Sequence, residues 1–258
     1  MSASLAVPAN ARPARTHAVY PPREDTTLLA GIARRLAGRT VLELGAGSGV
    51  VALAAARAGA RRVVATDLNP TALGSVARAA AAEGLRVDAV RTDLARGLGR
   101  FDRILANPPY LPTRRAERDP DPWVNLALDG GPDGCRVLAR IVATLPAHLT
   151  VRGAAFVLVS SLQSAGRRRR LRSRWRSRGG TVRTVAERRL EGERLELWEL
   201  RLGRPSRGAR RSGRRARGTR ARRRTRSTLR VGSSPAFARG RTRAPDAASA
   251  RRRSPRGS

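Results

Sequence analysis

A rigid corner in the middle of the chain carries the first residues suited to chemistry. A short apolar run at residues 104–106 leads directly into Asn107, Pro108, Pro109 and Tyr110. Proline fixes its own φ angle and restricts the residue before it, so the Asn107 side-chain oxygen and the Pro108 carbonyl can converge on one planar –NH2 group. The nitrogen lone pair is then directed toward an electrophile in front, while Tyr110 lies against the planar group. We therefore take Asn107, Pro108 and Tyr110 as the catalytic candidates for chemistry on an amide or aromatic amine.

Three alternating glycines, Gly45, Gly47 and Gly49, follow a strand-like run at residues 40–44. Glycine permits a tight turn from strand to helix and a close approach of the backbone to a ligand. The spacing differs from the G-x-G-x-x-G pattern of dinucleotide sites. The turn is therefore either a loop that approaches a ligand closely, as in nucleotide-binding folds, or a purely structural turn.

Two further strand-like runs end in carboxylates. Asp67 lies 22 residues beyond Gly45, where a carboxylate can hold both hydroxyls of a ribose; the alternative is an acid at the N-terminus of the next helix. Asp93 is followed by Leu94, and an acid there can accept from an adenine amino group while the next backbone N–H contacts the ring; the alternative is a surface acid. Together these residues predict a cofactor pocket at the carboxyl edge of a sheet.

Short β-branched runs alternate with Ala- and Leu-rich segments, which predicts a parallel sheet with helices on both faces. Strands are expected at residues 40–44, 62–66, 85–90, 101–106, 154–160, 181–187 and 193–201. Helices are expected at residues 49–59, 70–83 and 133–146. Glu191 and Gly192 separate the last two strands and predict a closing antiparallel hairpin. The predicted fold is an α/β, Rossmann-like domain with a seven-stranded, mostly parallel sheet.

These motifs together resemble class I S-adenosylmethionine-dependent methyltransferases that modify planar –NH2 groups. Within that group, residues 19–29 (VYPPREDTTLL), 128–134 (LDGGPDG) and 191–201 (EGERLELWELR) resemble the HemK family of protein glutamine methyltransferases. The likeness is greatest to its short eukaryotic and archaeal branch, which methylates the Gly-Gly-Gln glutamine of translation termination (release) factors. It extends over residues 19–202.

The resemblance implies a role for each residue that matches the family's motifs. Thr26 looks like a contact to the methionine part of S-adenosylmethionine, Asp67 like the ribose ligand, and Asp93 with Leu94 like the adenine contacts. Asn107 is similar to the ligand of the substrate amide that also approaches the cofactor. The cofactor-binding residues implied are Thr26, Glu43, Gly45, Gly47, Asp67, Asp93, Leu94 and Asn107. Tyr20 is either a residue that closes the pocket or a core tyrosine.

The charge is large and unevenly distributed. The 54 basic residues are all arginine, the acids number 19, and the formal net charge is +35. Residues 203–258 hold 20 of the arginines and a single acid, with little apolar content, so we expect a disordered tail there. This tail either contacts RNA phosphates nonspecifically or is a solvated extension. The basic segment at residues 164–180 either contacts ribosomal RNA or is a solvated helix face. The expected domains are a flexible N-terminus (1–18), the methyltransferase domain (19–202) and the tail (203–258).

Composition also excludes some classes of protein. Cys135 is the only cysteine, so an internal disulfide is excluded, and His17 and His148 are too few to complete a zinc site; we expect no metal. The N-terminal residues lack the apolar core of a signal peptide, and no apolar run reaches the roughly 18 residues of a membrane span. A soluble, cytoplasmic protein is expected.

The predicted function is methyl transfer from S-adenosylmethionine to a glutamine amide nitrogen of a translation termination factor. One alternative is a methyltransferase acting on an exocyclic amine of adenine or guanine in RNA or DNA, which must bring the base into the pocket. Another, of a different class, is a basic RNA-binding protein with a vestigial pocket. The sequence leaves open whether a small activating subunit is required, as it is for some relatives, and which oligomeric state the protein adopts.

Overall fold

The computed structural model describes Val19 and residues 24–203. The predicted flexible N-terminus, the pocket role of Tyr20 and the arginine-rich tail lie outside the described residues, and they stay predictions.

The described part of the chain contains one sheet of seven strands. The strands are β1 (Thr40–Leu44), β2 (Arg62–Asp67), β3 (Asp88–Arg91), β4 (Phe101–Ala106), β5 (Leu149–Ser160), β6 (Thr181–Leu190) and β7 (Glu193–Arg201). Their order across the sheet is β3-β2-β1-β4-β5-β7-β6. Strands β1 to β5 pair in parallel, while β7 runs antiparallel between β5 and β6. The predicted fold class, including the closing hairpin, is confirmed.

Six α-helices accompany the sheet in the described residues. They are α1 (Glu24–Ala33), α2 (Val50–Arg57), α3 (Pro70–Ala82), α4 (Pro122–Leu128), α5 (Arg136–His148) and α6 (Ala165–Ser177). Sequence analysis assigned no helix to α1 or α4. The sequence also predicted that α5 starts at residue 133, whereas it starts at Arg136. A turn precedes the helix, because Gly134 has a φ of 69° and the Asp133 carboxylate accepts from the Cys135 N–H.

Two strands begin at positions other than those predicted. The Leu85 N–H donates to the Ala80 carbonyl and closes the end of α3, so β3 starts at Asp88 and not at residue 85. Strand β5 starts at Leu149, immediately after α5, because Leu149 already pairs with Phe101 of β4. Both differences concern the ends of elements, where hydrogen bonds to neighbouring elements decide the boundary.

The sheet is buried on both faces, as expected for parallel strands joined by helical crossovers. Helices α5 and α6 cover the face that presents Leu42 and Trp198, and helices α1, α2 and α3 cover the face that presents Val41 and Leu197. Successive residues of β1 therefore contribute to different cores, in line with the two-residue period of a strand.

The parallel register brings the carboxyl ends of neighbouring strands to one edge. Leu44 of β1 pairs with Thr66 of β2 on one side and with Ala106 of β4 on the other. The residues that follow each strand, which include Gly45 and Asn107, therefore lie at one level above the sheet.

Gly49 shows why α2 can begin so close to this edge. It is the N-cap of α2 with a φ of 78°, and a Cβ atom added there would lie 2.6 Å from Cγ2 of Val76 in α3. Only glycine combines this left-handed conformation with such a close approach. The third glycine of the motif is therefore required by packing, whatever the loop binds.

Candidate active site

A pocket opens at the carboxyl edge of the sheet. Its walls come from the ends of β1, β2 and β4, from the loop after β3, and from α1, α4 and α5. It is lined by each residue predicted for the site: Thr26, Glu43, Gly45, Gly47, Asp67, Asp93, Leu94, Asn107, Pro108 and Tyr110. Trp123, an aromatic residue expected near the site, also lines it. Asp25, Leu68 and Arg140 line it too, although the sequence assigned them no role in the site.

The glycine loop and Asp67 form one hydrogen-bonded unit. The N–H groups of Gly45 and Ala46 both donate to the Thr66 carbonyl, and Gly47 N donates to Asp67 Oδ2 at 2.9 Å. Asn69 N donates to the other carboxylate oxygen at 2.8 Å, so the Asp67 side chain is held at both ends. A carboxylate has about four lone-pair positions, and two backbone donors leave acceptor capacity for the hydroxyls of a ribose.

Two glycines of the loop leave space beside the backbone. Gly45 and Gly47 have φ angles of 71° and 50°, and a Cβ added at either would meet no atom within 4 Å. Their positive φ angles are needed for the turn, and the adjoining space belongs to the pocket. The loop therefore fits a ligand that approaches the main chain closely.

Two apolar side chains of the pocket near Asp67, Leu68 and Leu94, could contact the faces of a flat apolar group. Leu68 is 38% exposed although its side chain is large and apolar, and it lines the pocket. Leu94 has a φ of 54°, which among the described residues is the one positive φ outside glycine. A left-handed conformation in leucine costs about 1–2 kcal/mol, and such strain is concentrated at functional sites. Asp93 beside it forms an ion pair with Arg140, so an adenine amino group would share this carboxylate with a guanidinium.

Glu43 forms a buried floor of the pocket. Its side chain is 4% exposed, and Oε2 accepts from the Ala52 N–H at 2.8 Å. Burial raises the pKa of Glu43 to about 8; the Ala52 hydrogen bond opposes this effect and the negative charge of Asp67 adds to it. At neutral pH Glu43 is therefore largely protonated, and the pocket floor carries an acid that is able to donate a hydrogen bond.

Asn107 is oriented by a carboxylate 82 residues earlier in the chain. Its Nδ2 donates to Asp25 Oδ2 at 3.0 Å, and Asp25 is itself buried, with Oδ1 accepting from Thr26 N at 2.6 Å and Thr26 Oγ1 at 3.1 Å. An ionised carboxylate only accepts, so the –NH2 end of Asn107 must face Asp25. Sequence analysis missed Asp25, which on its own is typical of an acid at the start of a helix.

This hydrogen bond leaves the other end of the Asn107 amide free. Asn107 Oδ1 is buried and, among the described residues, finds no hydrogen-bond partner. A buried acceptor without a partner costs about 1–3 kcal/mol, so its retention in a pocket wall points to a donor that arrives with a ligand. The sequence predicts this oxygen as one of the two acceptors for an –NH2 group, and that role stays a prediction.

The corner that follows Asn107 is supported from behind. A Cβ at Gly134 would lie 2.4 Å from the Tyr110 carbonyl oxygen, so glycine is needed for the loop to pack against Tyr110. Gln163, which is 1% exposed, donates from Nε2 to the Gly134 carbonyl and accepts at Oε1 from Ser160 N. Sequence analysis missed Gln163, and the only local signal is that it follows the end of a buried strand.

Two classes of site find no support in residues 24–203. No helix of this part of the chain is long and apolar enough to cross a membrane. No group of three or more His, Cys, Asp or Glu side chains there is arranged to hold a metal ion.

Comparison with known proteins gives close relatives. Residues 24–119 match the methyltransferase small domain family. The chain is 39% identical over 145 residues to a putative protein N5-glutamine methyltransferase of Methanocaldococcus jannaschii, which covers 56% of this chain and 73% of that protein. It is 34% identical over 152 residues to the human methyltransferase HEMK2, covering 54% of this chain and 71% of that protein. The release factor glutamine methyltransferase of Deinococcus radiodurans is 39% identical over 165 residues, and the match spans 59% of its length.

Solved structures agree with the fold. One similar structure is a chain of the E. cuniculi Mtq2-Trm112 complex, which is described as responsible for methylation of the eRF1 translation termination factor. That chain has 27% identity and a TM-score of 0.56 to this one. The match covers 73% of this chain and all of that one. A T. thermophilus 16S rRNA N2 G1207 methyltransferase, solved with AdoMet and guanosine, has 23% identity and a TM-score of 0.51 over 44% of its chain. At that identity the likeness concerns the fold alone.

The raised pKa of Glu43 predicts a pH-dependent stability. Between its ordinary pKa of 4.5 and the value of about 8 in the folded protein, the folded state keeps a proton that the unfolded chain releases. The contribution of Glu43 is therefore most favourable below pH 4.5 and is lost as the pH rises through about 8. Glu43→Gln keeps an acceptor for Ala52 N–H and should gain stability over the wild type as the pH rises.

Urea unfolding at several pH values across this interval measures the effect. Glu83→Gln is the control, because the pKa of Glu83 is lowered by its hydrogen bond to Arg57 and this group does not titrate in the same interval. A constant stability difference between wild type and Glu43→Gln at all these pH values would contradict the assignment.

Proposed function

Because the chain belongs to the HemK family of S-adenosylmethionine-dependent methyltransferases, we propose that it methylates the side-chain amide nitrogen of a glutamine in a translation termination factor. The observation that carries this proposal is the buried Asn107 Oδ1, which has no partner among the described residues. A glutamine amide offers the –NH2 group that such an oxygen requires. The names of the relatives support the same acceptor, since they are protein-glutamine and release factor glutamine methyltransferases.

The pocket residues fit the family's cofactor. We assign Asp67 to the ribose hydroxyls, Leu68 and Leu94 to the faces of the adenine, and Asp93 to its amino group. The backbone of Gly45 and Gly47, with Glu43 below it and Thr26 opposite, would surround the remainder of the molecule. When bound, S-adenosylmethionine supplies a methyl group on a sulfonium that is already activated for transfer.

The chain's own contribution to the reaction is to hold the acceptor. Asn107 Oδ1 and the Pro108 carbonyl each accept one hydrogen of the –NH2 group, which fixes the plane of the amide and directs its nitrogen lone pair toward the methyl group. Tyr110 packs against that plane. Because an amide lone pair is delocalised, this positioning in a buried wall lowers the barrier. The bond from nitrogen to the methyl carbon would form as the sulfur–methyl bond breaks, leaving a neutral thioether. The nitrogen would lose one proton to solvent, so no general base is needed.

Asp25 acts through Asn107. With an acceptor-only partner behind it, the Asn107 amide cannot rotate to present its –NH2 end to the substrate, where it would repel another donor. Thr26 donates twice to Asp25 and holds it in place. In this proposal Asp25 is a positioning residue, since no atom of it needs to touch the acceptor.

The pocket lining and the relatives argue against the two alternatives, a nucleobase methyltransferase and an RNA-binding protein without activity. The exocyclic amine of a nucleobase presents the same two hydrogens, but the aromatic side chains lining the pocket in the described residues are Tyr110 and Trp123, which is few for stacking a base. An RNA-binding protein with a vestigial pocket is not supported, because the family is enzymatic and the pocket keeps its full set of predicted residues.

We further propose that a small activating subunit binds this chain. The support is that the E. cuniculi relative was solved as a complex of Mtq2 with Trm112. Nonspecific RNA contact through the tail at residues 203–258, and a cytoplasmic location, are likewise proposals. They rest on the charge of the tail and on the expected acceptor.

Asp67→Ala should weaken the binding of S-adenosylmethionine by about 1–3 kcal/mol, the order expected for hydrogen bonds to a charged group. Calorimetric titration of the full chain measures the affinity, and circular dichroism verifies folding, because Asp67 also holds Gly47 and Asn69. Asp88→Ala, which removes an exposed acid paired with Arg62, is the control and should bind normally. An unchanged affinity in folded Asp67→Ala would remove Asp67 from the cofactor site.

Asn107→Ala should retain most of the cofactor affinity and lose methyl transfer by a factor on the order of 10² to 10³, as for the loss of one oriented polar group. Asp25→Asn should give a smaller loss in kcat, since an asparagine can also donate toward Asn107 and no longer fixes its orientation. Single-turnover transfer measured beside cofactor titration separates the two effects. Full turnover in Asn107→Ala would contradict the role of its oxygen.

The acceptor is tested by labelling. The full chain, purified with a Trm112-type subunit, is incubated with methyl-labelled cofactor, a termination factor containing Gly-Gly-Gln, and total RNA. Label is expected on that glutamine, and a Gln→Glu change in the factor should abolish it, because a carboxylate offers no –NH2 group and is repelled by the two oxygens. Label in RNA and none in the factor would overturn the protein acceptor and leave the pocket chemistry intact.

A further inference from the structure

Helix α6 carries a dense group of arginines. Its 13 residues include seven arginines and no acid. The other five helices, formed from the same arginine-biased composition, each contain two arginines at most. A general drift toward arginine does not concentrate these residues on one helix.

Four of the arginines serve the fold, and one of them is Arg176, which donates to the Val182 carbonyl. Arg168 and Arg172 face the sheet and pair with Glu196, whose side chain is 9% exposed, and the Arg172 guanidinium lies 4.9 Å from the centre of the Trp198 ring. Arg167 pairs with Asp133 in the loop behind the active site. These contacts fix which face of α6 is turned inward.

The remaining face is basic and free. Arg169, Arg170, Arg174 and Arg178 are exposed, and in residues 24–203 no carboxylate lies within 4 Å of their side-chain nitrogens. Arg170, Arg174 and Arg178 follow one another at intervals of four residues, so they lie on one side of the helix over about 12 Å. We call these three residues the arginine stripe.

This arrangement is unfavourable for the isolated chain. Like charges four residues apart on a helix destabilise it by about 0.2–0.5 kcal/mol per pair. A polyanion laid along the stripe would relieve this repulsion, whereas solvent relieves it only partly.

We propose that the arginine stripe binds the phosphate backbone of RNA. The guanidinium fork matches the geometry of phosphate oxygens and binds them through two hydrogen bonds. Ser173 is exposed between Arg170 and Arg174, and its hydroxyl can exchange hydrogen bonds with a ribose 2′-OH, which DNA lacks. The arrangement recognises a polyanion and reads no base.

The other polyanionic surfaces fit less well. A helix that binds a lipid surface inserts apolar side chains, but Leu171 is half-buried, and Trp175 is 3% exposed and donates from Nε1 to the carbonyls of Thr181 and Arg201 inside the domain. An acidic protein surface usually carries charges of both signs and scattered apolar contacts. The exposed residues of α6 are Arg, Ser and Ala, with nothing to match such a surface.

Helix α6 begins at the loop behind the active site. Ser164 N donates to the Asp133 carbonyl, and Gln163 donates to Gly134, so α6 is joined at its start to the loop that supports Tyr110. RNA bound along α6 would therefore lie behind the pocket and not across its opening. The inference does not depend on which acceptor is methylated.

The test compares two triple variants of the full chain. Arg170→Gln, Arg174→Gln and Arg178→Gln together remove the stripe. The control combines Arg35→Gln, Arg96→Gln and Arg152→Gln, which removes the same charge from three exposed arginines elsewhere. Fluorescence anisotropy measures affinity for a single-stranded RNA, for DNA of the same sequence and for polyglutamate, at several salt concentrations from about 50 to 200 mM.

The stripe variant should reduce the slope of log K against log salt by about two, since each phosphate contact on a single strand contributes about 0.7. The control should leave the slope unchanged, because none of its three substituted arginines belongs to the stripe. Ser173→Ala should reduce the preference for RNA over DNA. At low salt the stripe variant should also melt at a higher temperature than the control, since it loses the repulsion within α6.

Equal losses of slope in both triple variants would overturn the proposal, because affinity would then follow net charge alone. Equal sensitivity of RNA and DNA binding to the stripe, with no effect of Ser173→Ala, would overturn the commitment to RNA. A stripe-dependent loss seen only with polyglutamate would assign the surface to an acidic protein. Unchanged cofactor affinity in both variants verifies that the active site is intact.

Discussion

Parallel pairing of β1 with β2 and β4 is the constraint on which the rest of the structure depends. Parallel strands need helical crossovers, the crossovers cover both faces of the sheet, and the strands between them must be apolar throughout. Glu43 is the exception in β1, and it is paired laterally with Ala65 and Leu105, so water has no access from the neighbouring strands. The raised pKa of Glu43 thus follows from the same packing that aligns the ends of the strands at the pocket.

The alignment places functional groups but does not orient them. Asn107 follows β4 at the right level, yet an amide can present either end to a ligand. The choice is made by Asp25 on α1, outside the sheet, and α1 in turn is anchored by Leu29 and Ala33 against the core under β1 and β5. Apolar packing of a peripheral helix therefore decides the direction of a polar group at the centre of the site. The cost is one buried oxygen that finds no partner among the described residues.

Sequence reasoning succeeded where a signal is local. The strand pattern, the glycine turn, the two strand-end acids and the Asn-Pro-Pro-Tyr corner are each legible within a few residues, and parallel topology then brings them together. Asp25 and Gln163 were not predicted because their roles arise only from contacts with distant segments. Asp25 contacts Asn107, and Gln163 contacts Gly134.

Helix α4 was missed despite a local signal: Asp121 caps Trp123 N and Pro122 occupies the first turn, the usual start of a helix. Its seven residues are too short to show a hydrophobic period.

Helix α6 shows how one residue type can serve two purposes on one element. Removing the inward arginines, Arg168 and Arg172, from water costs free energy. Arg168 even buries an Nε that finds no partner in the described residues. Glu196 and the Trp198 ring nevertheless hold both side chains in place. Glu196 also accepts from Trp198 Nε1, so one carboxylate joins the helix to β7. Since this carboxylate serves the inward arginines, none of its charge is available to the outward ones. The outer face of α6 therefore has no paired carboxylate among the described residues, while the inner face has one.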